Sequence, residues 1–409
     1  MTTGAFVSDM SALRHVNSAP PLNVKTVSQL TRVIRDAAQF VPFYRKHWAG
    51  CGVDFNQFDV TRDLPRLPIL RKADLLACAP EDRIDSRFTG QRVVAEPTSG
   101  STGVPFAMPI DKRSHRRRRL RFLKALMGVG YVPGQRLMLI SNPPYPAGAK
   151  YLRWTYADLR RGEVDVFEVY ARTRPDVLYG PLSSLLILAR RINESKTKVR
   201  PPKVVVSTAE QLRSAHRDFL SAAFETGVAD FYGMTELGLV GYSQPNGNDY
   251  RVMSEHLHLE YLPSDAGSNL ERLIVTDLGG GVMPLIRFDT GDLVKRDQSR
   301  TGSPIVLFSG REVDCLRRPD GTWISPYEIT VALDLVPGIR QYQVSQRADL
   351  TIDFYVTSVD VNSSVAMDSA CRVLRMVCGE TARVEAHARV EQPLVPGRKQ
   401  RTVCSQAAV

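Results

Sequence analysis

Two short strings in this chain put hydroxyl, amide and carboxylate groups at spacings that phosphate chemistry can use. In Thr98-Ser99-Gly100-Ser101-Thr102-Gly103, four hydroxyl side chains interleave with two glycines. Backbone N–H groups and hydroxyls can then converge on one anion without a Cβ in the way, which makes a flexible phosphate cradle. A polar turn between two strands would have the same composition, and the GK[ST] ending of a Walker A loop is absent. In Asp230-Phe231-Tyr232-Gly233-Met234-Thr235-Glu236, a β-rich run ends at a glycine that delivers a ring, a hydroxyl and a carboxylate to one place. Tyr232 can lie against a purine, Thr235 can donate to a phosphate oxygen, and Glu236 can hold Mg²⁺ as a hard oxygen ligand. The string also reads as a strand end leading into a helix with a capping threonine.

Three weaker strings follow. In Arg287-Phe288-Asp289-Thr290-Gly291-Asp292, Asp292 comes after a glycine turn and can accept hydrogen bonds from a vicinal diol such as ribose. An ordinary Asx turn accounts for it equally. Gly310-Arg311-Glu312-Val313-Asp314 leads to Asp320-Gly321, a hairpin turn, and to Ser325, Pro326 and Glu328, which have capping-box spacing. Those structural roles leave Arg311 unexplained. Near the C-terminus stands Pro396-Gly397-Arg398-Lys399-Gln400-Arg401, where a lysine on a basic tail reads by itself as a solvated charge.

Taken in order, the five strings resemble the adenylate-forming superfamily of acyl- and aryl-CoA ligases, and within it the phenylacetate–CoA ligase branch. Thr98 to Pro105 resembles TSGSTGxP, Tyr232 to Glu236 resembles YGxTE, Arg287 to Asp292 resembles IRYxTGD, and Gly310 to Asp314 resembles GRxxD. Lys399 resembles the C-terminal lysine, and Ala209-Glu210 stands where relatives read Gly-Glu. The resemblance implies ATP, Mg²⁺ and CoA as cofactor and co-substrates, with a small, aromatic or short hydrophobic carboxylic acid as substrate. Thr98 to Gly103 would embrace the β- and γ-phosphates. Ala209, Glu210, Tyr232 and Gly233 would border the nucleotide, and Thr235 would meet the α-phosphate. Glu236 would bind the metal, Asp292 and Arg311 the ribose, and Lys399 would bridge the acid and the α-phosphate. An amine or a carrier-protein thiol is the alternative acceptor to CoA.

The elements that must position these residues alternate along the chain. Helices and turns occupy residues 1 to about 85. β-rich runs at 135–141, 175–179, 202–207 and 228–232 then alternate with helices at 183–193 and 214–226, which argues for an α/β sheet covered by helices. Runs at 257–262, 272–277 and 284–288 follow without helices, as a β-rich subregion. After residue 308 comes a strand and turn at 315–324, a helix at 326–335, strands near Tyr342 and Thr351 and a helix at 366–378. The expected fold class is therefore α/β, with a large N-terminal unit over 1–307 and a small C-terminal α+β unit over 308–409, which the resemblance implies are an adenylation domain and a mobile lid.

The chain has 409 residues and a net charge of +11, much of it in Lys112-Arg113-Ser114-His115-Arg116-Arg117-Arg118-Arg119. Leu120, Leu123 and Met127, with Phe122 and Leu126, follow at helical spacing, so the segment reads as one amphipathic helix with a basic solvent face. Nucleic-acid binding is the weaker account of that charge, because no nucleic-acid motif accompanies it. A basic nucleotide- or nucleic-acid-binding protein without catalysis is the rival from another class. Six cysteines without a CxxC pair fit reduced thiols. The first twenty residues hold no basic stretch followed by an apolar one, so a cytoplasmic protein without membrane spans is expected.

Overall fold

The computed structural model describes residues 23–91, 93–97, 107–141, 153–158, 166–195, 198–264, 269–300, 302, 304–359, 363–388 and 402–407. The described residues open with helix α1 (Val24–Phe40), capped by Asn23, and three short helices, α2 (Pro42–His47), α3 (Val60–Asp63) and α4 (Lys72–Ala77). Strands β1 (Val94–Pro97) and β2 (Ala107–Ile110) pair antiparallel, with Pro97 opposite Ala107. The basic helix α5 (Lys112–Gly128) follows at once, its N-terminus capped by Asp111.

The alternating section forms as its periodicity requires. Strands β3 (Leu137–Ser141), β4 (Trp154–Asp158), β5 (Val177–Pro181), β6 (Val204–Thr208) and β7 (Val228–Met234) make a parallel sheet. Helices α6 (Val166–Thr173), α7 (Leu182–Glu194) and α8 (Ser214–Phe224) make the crossovers. Both faces are buried, as a parallel sheet demands. Met138, Ile140, Leu178, Val205 and Val228 pack under those crossover helices. Leu137, Leu139, Val177, Val204 and Val206 alternate with them and share a core with α1 and α5.

From β7 onward the pairing turns antiparallel, because β8 (Gly238–Ser243) returns as a hairpin where a helix was one of the two expectations. Strands β9 (Tyr250–Val252), β10 (Leu257–Pro263), β11 (Glu271–Asp277), β12 (Phe288–Arg296) and β13 (Ile305–Arg311) extend the sheet to eleven strands in the order β10-β11-β12-β13-β9-β8-β7-β6-β5-β3-β4. The strand expected at 284–288 begins instead at Phe288 and carries the Thr290-Gly291-Asp292 string within it. Residues before Phe288 run beside the N-terminal segment, where Leu70 bridges to Phe288 in parallel. The large sheet also carries on past residue 307, to Arg311.

A second, separate core lies beyond. Strands β14 (Leu316–Arg317) and β15 (Trp323–Ile324) flank the Asp320-Gly321 turn, and α9 (Pro326–Asp334) starts with the full Ser325–Glu328 capping box. Strands β16 (Ile339–Gln346), β17 (Ile352–Val359), β18 (Val384–Ala388) and β19 (Val403–Ser405) form a four-stranded sheet in the order β18-β17-β16-β19. Ile329 and Leu333 of α9 and Leu374 of α10 (Ser363–Cys378) pack on it with Val344, Phe354 and Val356. Among the described residues, no helix is long and apolar enough to cross a membrane.

A carboxyl group is buried inside the large sheet. Asp230 on β7 is buried, its Oδ2 accepts from the Tyr250 hydroxyl at 2.5 Å, and its N–H donates to Ser243 Oγ at 2.9 Å. Burial outweighs the Tyr250 bond and the nearby Arg217 charge and pushes the carboxyl up to about 6. An acid whose folded value exceeds its unfolded value of about 3.9 contributes stability that is complete below that value and lost as pH rises through about 6. Compared with the wild type, Asp230→Asn should therefore gain roughly 2–3 kcal/mol in relative stability between pH 4 and pH 7. Urea midpoints of both proteins across that range check it, and a difference independent of pH would refute it.

Candidate functional site

The β7–β8 hairpin supplies the core of the site. Its loop is Thr235, Glu236 and Leu237, closed by Met234 opposite Gly238. Two glycines make the turn possible. Gly238 holds φ +72°, and a Cβ on Gly233 would lie 2.7 Å from the Gly238 carbonyl across the hairpin. Thr235 is half-buried and Glu236 is 9% exposed.

A carboxylate in that setting needs an answering charge. Lys72 Nζ at the start of α4 donates to Glu236 Oε1 at 3.1 Å. Lys72 is brought there by its neighbours: Leu70 N–H donates to Arg287 O at 2.9 Å and Asp289 N–H to Leu70 O at 2.8 Å. Arg287, with a left-handed φ of +49°, is itself buried. Its guanidinium meets Glu260 at 2.9 Å and donates to the Pro65 and Leu67 carbonyls, fastening the N-terminal segment to the sheet. Sequence reasoning missed Lys72, which sits in no recognisable motif.

The diol-binding candidates meet on the same sheet. The register of β12 and β13 sets Asp292 opposite Arg311, with Arg311 Nε 3.6 Å from Asp292 Oδ1. The Tyr232 hydroxyl donates to Asp292 Oδ2 at 2.6 Å. Its burial and the Asp292 charge hold that hydroxyl protonated, far above the ordinary tyrosine range. One face of the Tyr232 ring stacks on Phe308 with centroids 3.7 Å apart. Phe308 was another omission of the sequence reading, since only strand register reveals it. Tyr232, Asp292 and Arg311 are thus one connected group.

At the end of β6 the backbone of Ala209 adopts φ +70°, the conformation that suits a glycine. Glu210 beside it accepts from Ser183 Oγ at 2.7 Å, at the first turn of α7. Gln211 reaches the Phe308 carbonyl at 2.6 Å. Thr98, Ser99, Gly100, Ser101, Thr102, Gly103 and Lys399 lie outside the described residues. The strands flanking the first group are β1 and β2, and the chain after Lys399 rejoins the small sheet as β19, parallel to β16.

Helix α5 lies behind the hairpin loop, and its orientation corrects the sequence reading. Phe122, Leu123 and Leu126 pack on the core as expected, but Leu120 and Met127 are 53% and 50% exposed, and Arg121 is buried beside Ala125 and Leu126. Arg118 donates to Thr235 O at 2.7 Å and to Glu236 O at 2.5 Å, and Arg121 donates to Leu237 O at 2.8 Å. Part of the basic run therefore faces inward, toward the loop. Between the two cores, Arg213 at the start of α8 meets Asp334 of α9 at 2.6 Å and the Tyr342 hydroxyl of β16 at 2.9 Å.

No protein-family model matches the chain. Among curated proteins, phenylacetate-coenzyme A ligase of Thermus thermophilus is 25% identical over 371 residues, covering 82% of this chain and 80% of that one. Among solved structures, 2-hydroxyisobutyryl-CoA ligase in the postadenylation state, in complex with R3-HIB-AMP, superposes with a TM-score of 0.74. That match has 19% identity and covers 95% of this chain and 94% of the other. The same ligase with 2-HIB-AMP and CoA in the thioesterification state gives 0.57 at 20% identity, over 99% and 91% of the two chains. The two-core fold agrees with these likenesses: the chain is similar to phenylacetate-coenzyme A ligase over most of its length and shares the fold of 2-hydroxyisobutyryl-CoA ligase.

Proposed function

We propose that this chain is an AMP-forming acid–thiol ligase, which activates a small carboxylic acid as its acyl-adenylate and passes the acyl group to CoA. The observation that carries the reading is the connected group Tyr232, Asp292 and Arg311, with Tyr232 on the strand that runs directly into the loop bearing Thr235 and Glu236. In the adenylation step the acid's carboxylate oxygen forms a bond to the α-phosphorus of ATP, and the bond to pyrophosphate breaks. In the second step a thiolate attacks the acyl carbon and AMP leaves. Both reactants of the first step are anions, so cations must stand between them.

Glu236 is the residue that would carry Mg²⁺. A single carboxylate is enough when phosphates complete the shell, which is how Mg²⁺ is commonly held, and Lys72 already marks this carboxylate as a site for positive charge. When bound, the metal screens phosphate charge against the incoming carboxylate. Thr235 would donate to the α-phosphate, and Asp292 with Arg311 would hold the ribose. Tyr232, stiffened by Phe308, would border the adenine beside Ala209, Glu210 and Gly233. Thr98 to Gly103 would cradle the β- and γ-phosphates, and Lys399 would supply the second cation. Dependence on ATP and CoA fits a cytoplasmic setting.

The two cores would act as an adenylation domain and a lid, joined through the single turn Glu312–Asp314. The better superposition on the postadenylation form than on the thioesterification form of one ligase supports reading the present arrangement as the adenylating one. The Arg213–Asp334 pair then belongs to that arrangement.

ATP–pyrophosphate exchange across a panel of acids tests the reaction, followed by product formation with CoA, amines and carrier proteins as acceptors. At least one small acid should support exchange. Lys399→Ala should lower exchange by roughly a hundredfold while sparing transfer from a supplied acyl-adenylate; unchanged exchange would show another lysine serves the step. Asp334→Asn should slow exchange and leave that transfer as fast or faster. Equal losses in both half-reactions would argue against an orientation-specific role for the pair.

A further inference from the structure

The basic run of α5 has inward-facing members that the proposed chemistry does not by itself account for. A three-residue hairpin loop leaves its carbonyls outside the ladder, and each of them needs a donor. Here α5 supplies all three. The Arg118 guanidinium spans the Thr235 and Glu236 carbonyls, and Arg121, one helical turn later on the same face, takes that of Leu237. Gly238 leaves room for this approach, because a Cβ there would lie 3.2 Å from Arg118 Cγ. Arg121 is 2% exposed, and its Nε and second terminal nitrogen find no acceptor among the described residues. A guanidinium buried so incompletely satisfied is costly, and the Leu237 carbonyl is what it holds.

We propose that Arg118, supported by Arg121, is a positioning residue for the adenylation step, an inference that rests on the ligase reading above. By fixing two consecutive peptide planes, its planar fork sets the direction in which the Thr235 hydroxyl and the Glu236 carboxylate leave the loop. Lys72 engages the carboxylate and Arg118 the backbone that bears it, so the loop is held by two different kinds of contact. Lysine cannot replace the fork, since an ammonium is a single point of charge and cannot keep the geometry of two parallel N–H donors.

The test compares full-length wild type with Arg118→Lys and Arg118→Gln, using an acid that the wild type activates. Pyrophosphate exchange is measured as a function of Mg²⁺, alongside thioester formation from supplied acyl-adenylate and thermal unfolding. The exposed neighbour Arg119 serves as a control through Arg119→Lys, which should match wild type. Both Arg118 variants should fold, lose roughly a hundredfold in the exchange kcat, need more Mg²⁺ for half-saturation, and transfer the supplied acyl group within about twofold of wild type. Unchanged exchange at every Mg²⁺ concentration overturns the proposal. So does an equal loss in both half-reactions, or loss of the fold in both variants, either of which makes Arg118 a scaffold residue. A wild type inert toward every acid would instead fail the ligase reading, and the inference with it.

Discussion

The ion pair between Lys72 and Glu236 is the contact around which the candidate site is arranged. A carboxylate that is 9% exposed has little access to water, and removing its lysine partner would leave that charge poorly compensated. Keeping the pair in register requires two remote parts of the chain to stay aligned. Lys72 reaches Glu236 because Leu70 is bridged to Phe288, and Phe288 follows Arg287, whose buried guanidinium holds the carbonyls of Pro65 and Leu67. The N-terminal segment is thus a wall of the site, built by one arginine in a conformation that arginine seldom adopts.

The recognisable strings fall where the backbone changes character, which is why they could be read. The Tyr232–Glu236 string ends a parallel strand and begins an antiparallel one, and Gly233 and Gly238 are required by a close approach and a positive φ. Asp292 and Arg311, nineteen residues apart, are paired by β-sheet register. Sequence periodicity also separated the section with crossover helices from the strand-only section, because the first is buried on both faces. It misplaced the 284–288 strand, since that apolar run divides its bonds between the Tyr44 hydroxyl of the N-terminal segment and the end of β11.

Side-chain direction was much less accessible. Eight consecutive polar residues in α5 carry no phase information, and of its expected apolar positions Phe122, Leu123 and Leu126 face the core while Leu120 and Met127 are exposed. Which arginines turn inward is decided by the three open carbonyls opposite, and these exist only once β7 and β8 have paired. Phe308 and Lys72 were hidden for the same reason: each gains its role from a neighbour more than seventy residues away along the chain. Ala209 shows the opposite case. A substitution visible in the string, alanine where relatives read glycine, coincides with a left-handed backbone, so the motif's glycine answers to geometry and the alanine here carries that strain.

The connection between the two cores is light compared with either core. One three-residue turn, Glu312–Asp314, links them covalently, and Arg213 adds a half-buried pair to Asp334 and a bond to Tyr342. Leu293 of the sheet also packs with Cys315, beside Leu270 and Trp323, so the junction is part polar and part apolar, as in the interfaces between domains for which relative motion is the ordinary expectation. The turn begins immediately after Arg311, the residue opposite Asp292, so the sheet's last ordered pair is also the anchor from which the small unit departs. A swing of that unit would have to give up the Arg213 contacts, while the Lys72–Glu236 pair and the α5 bonds to the loop lie wholly within the large unit. The geometry that presents Glu236 is therefore independent of where the small unit stands.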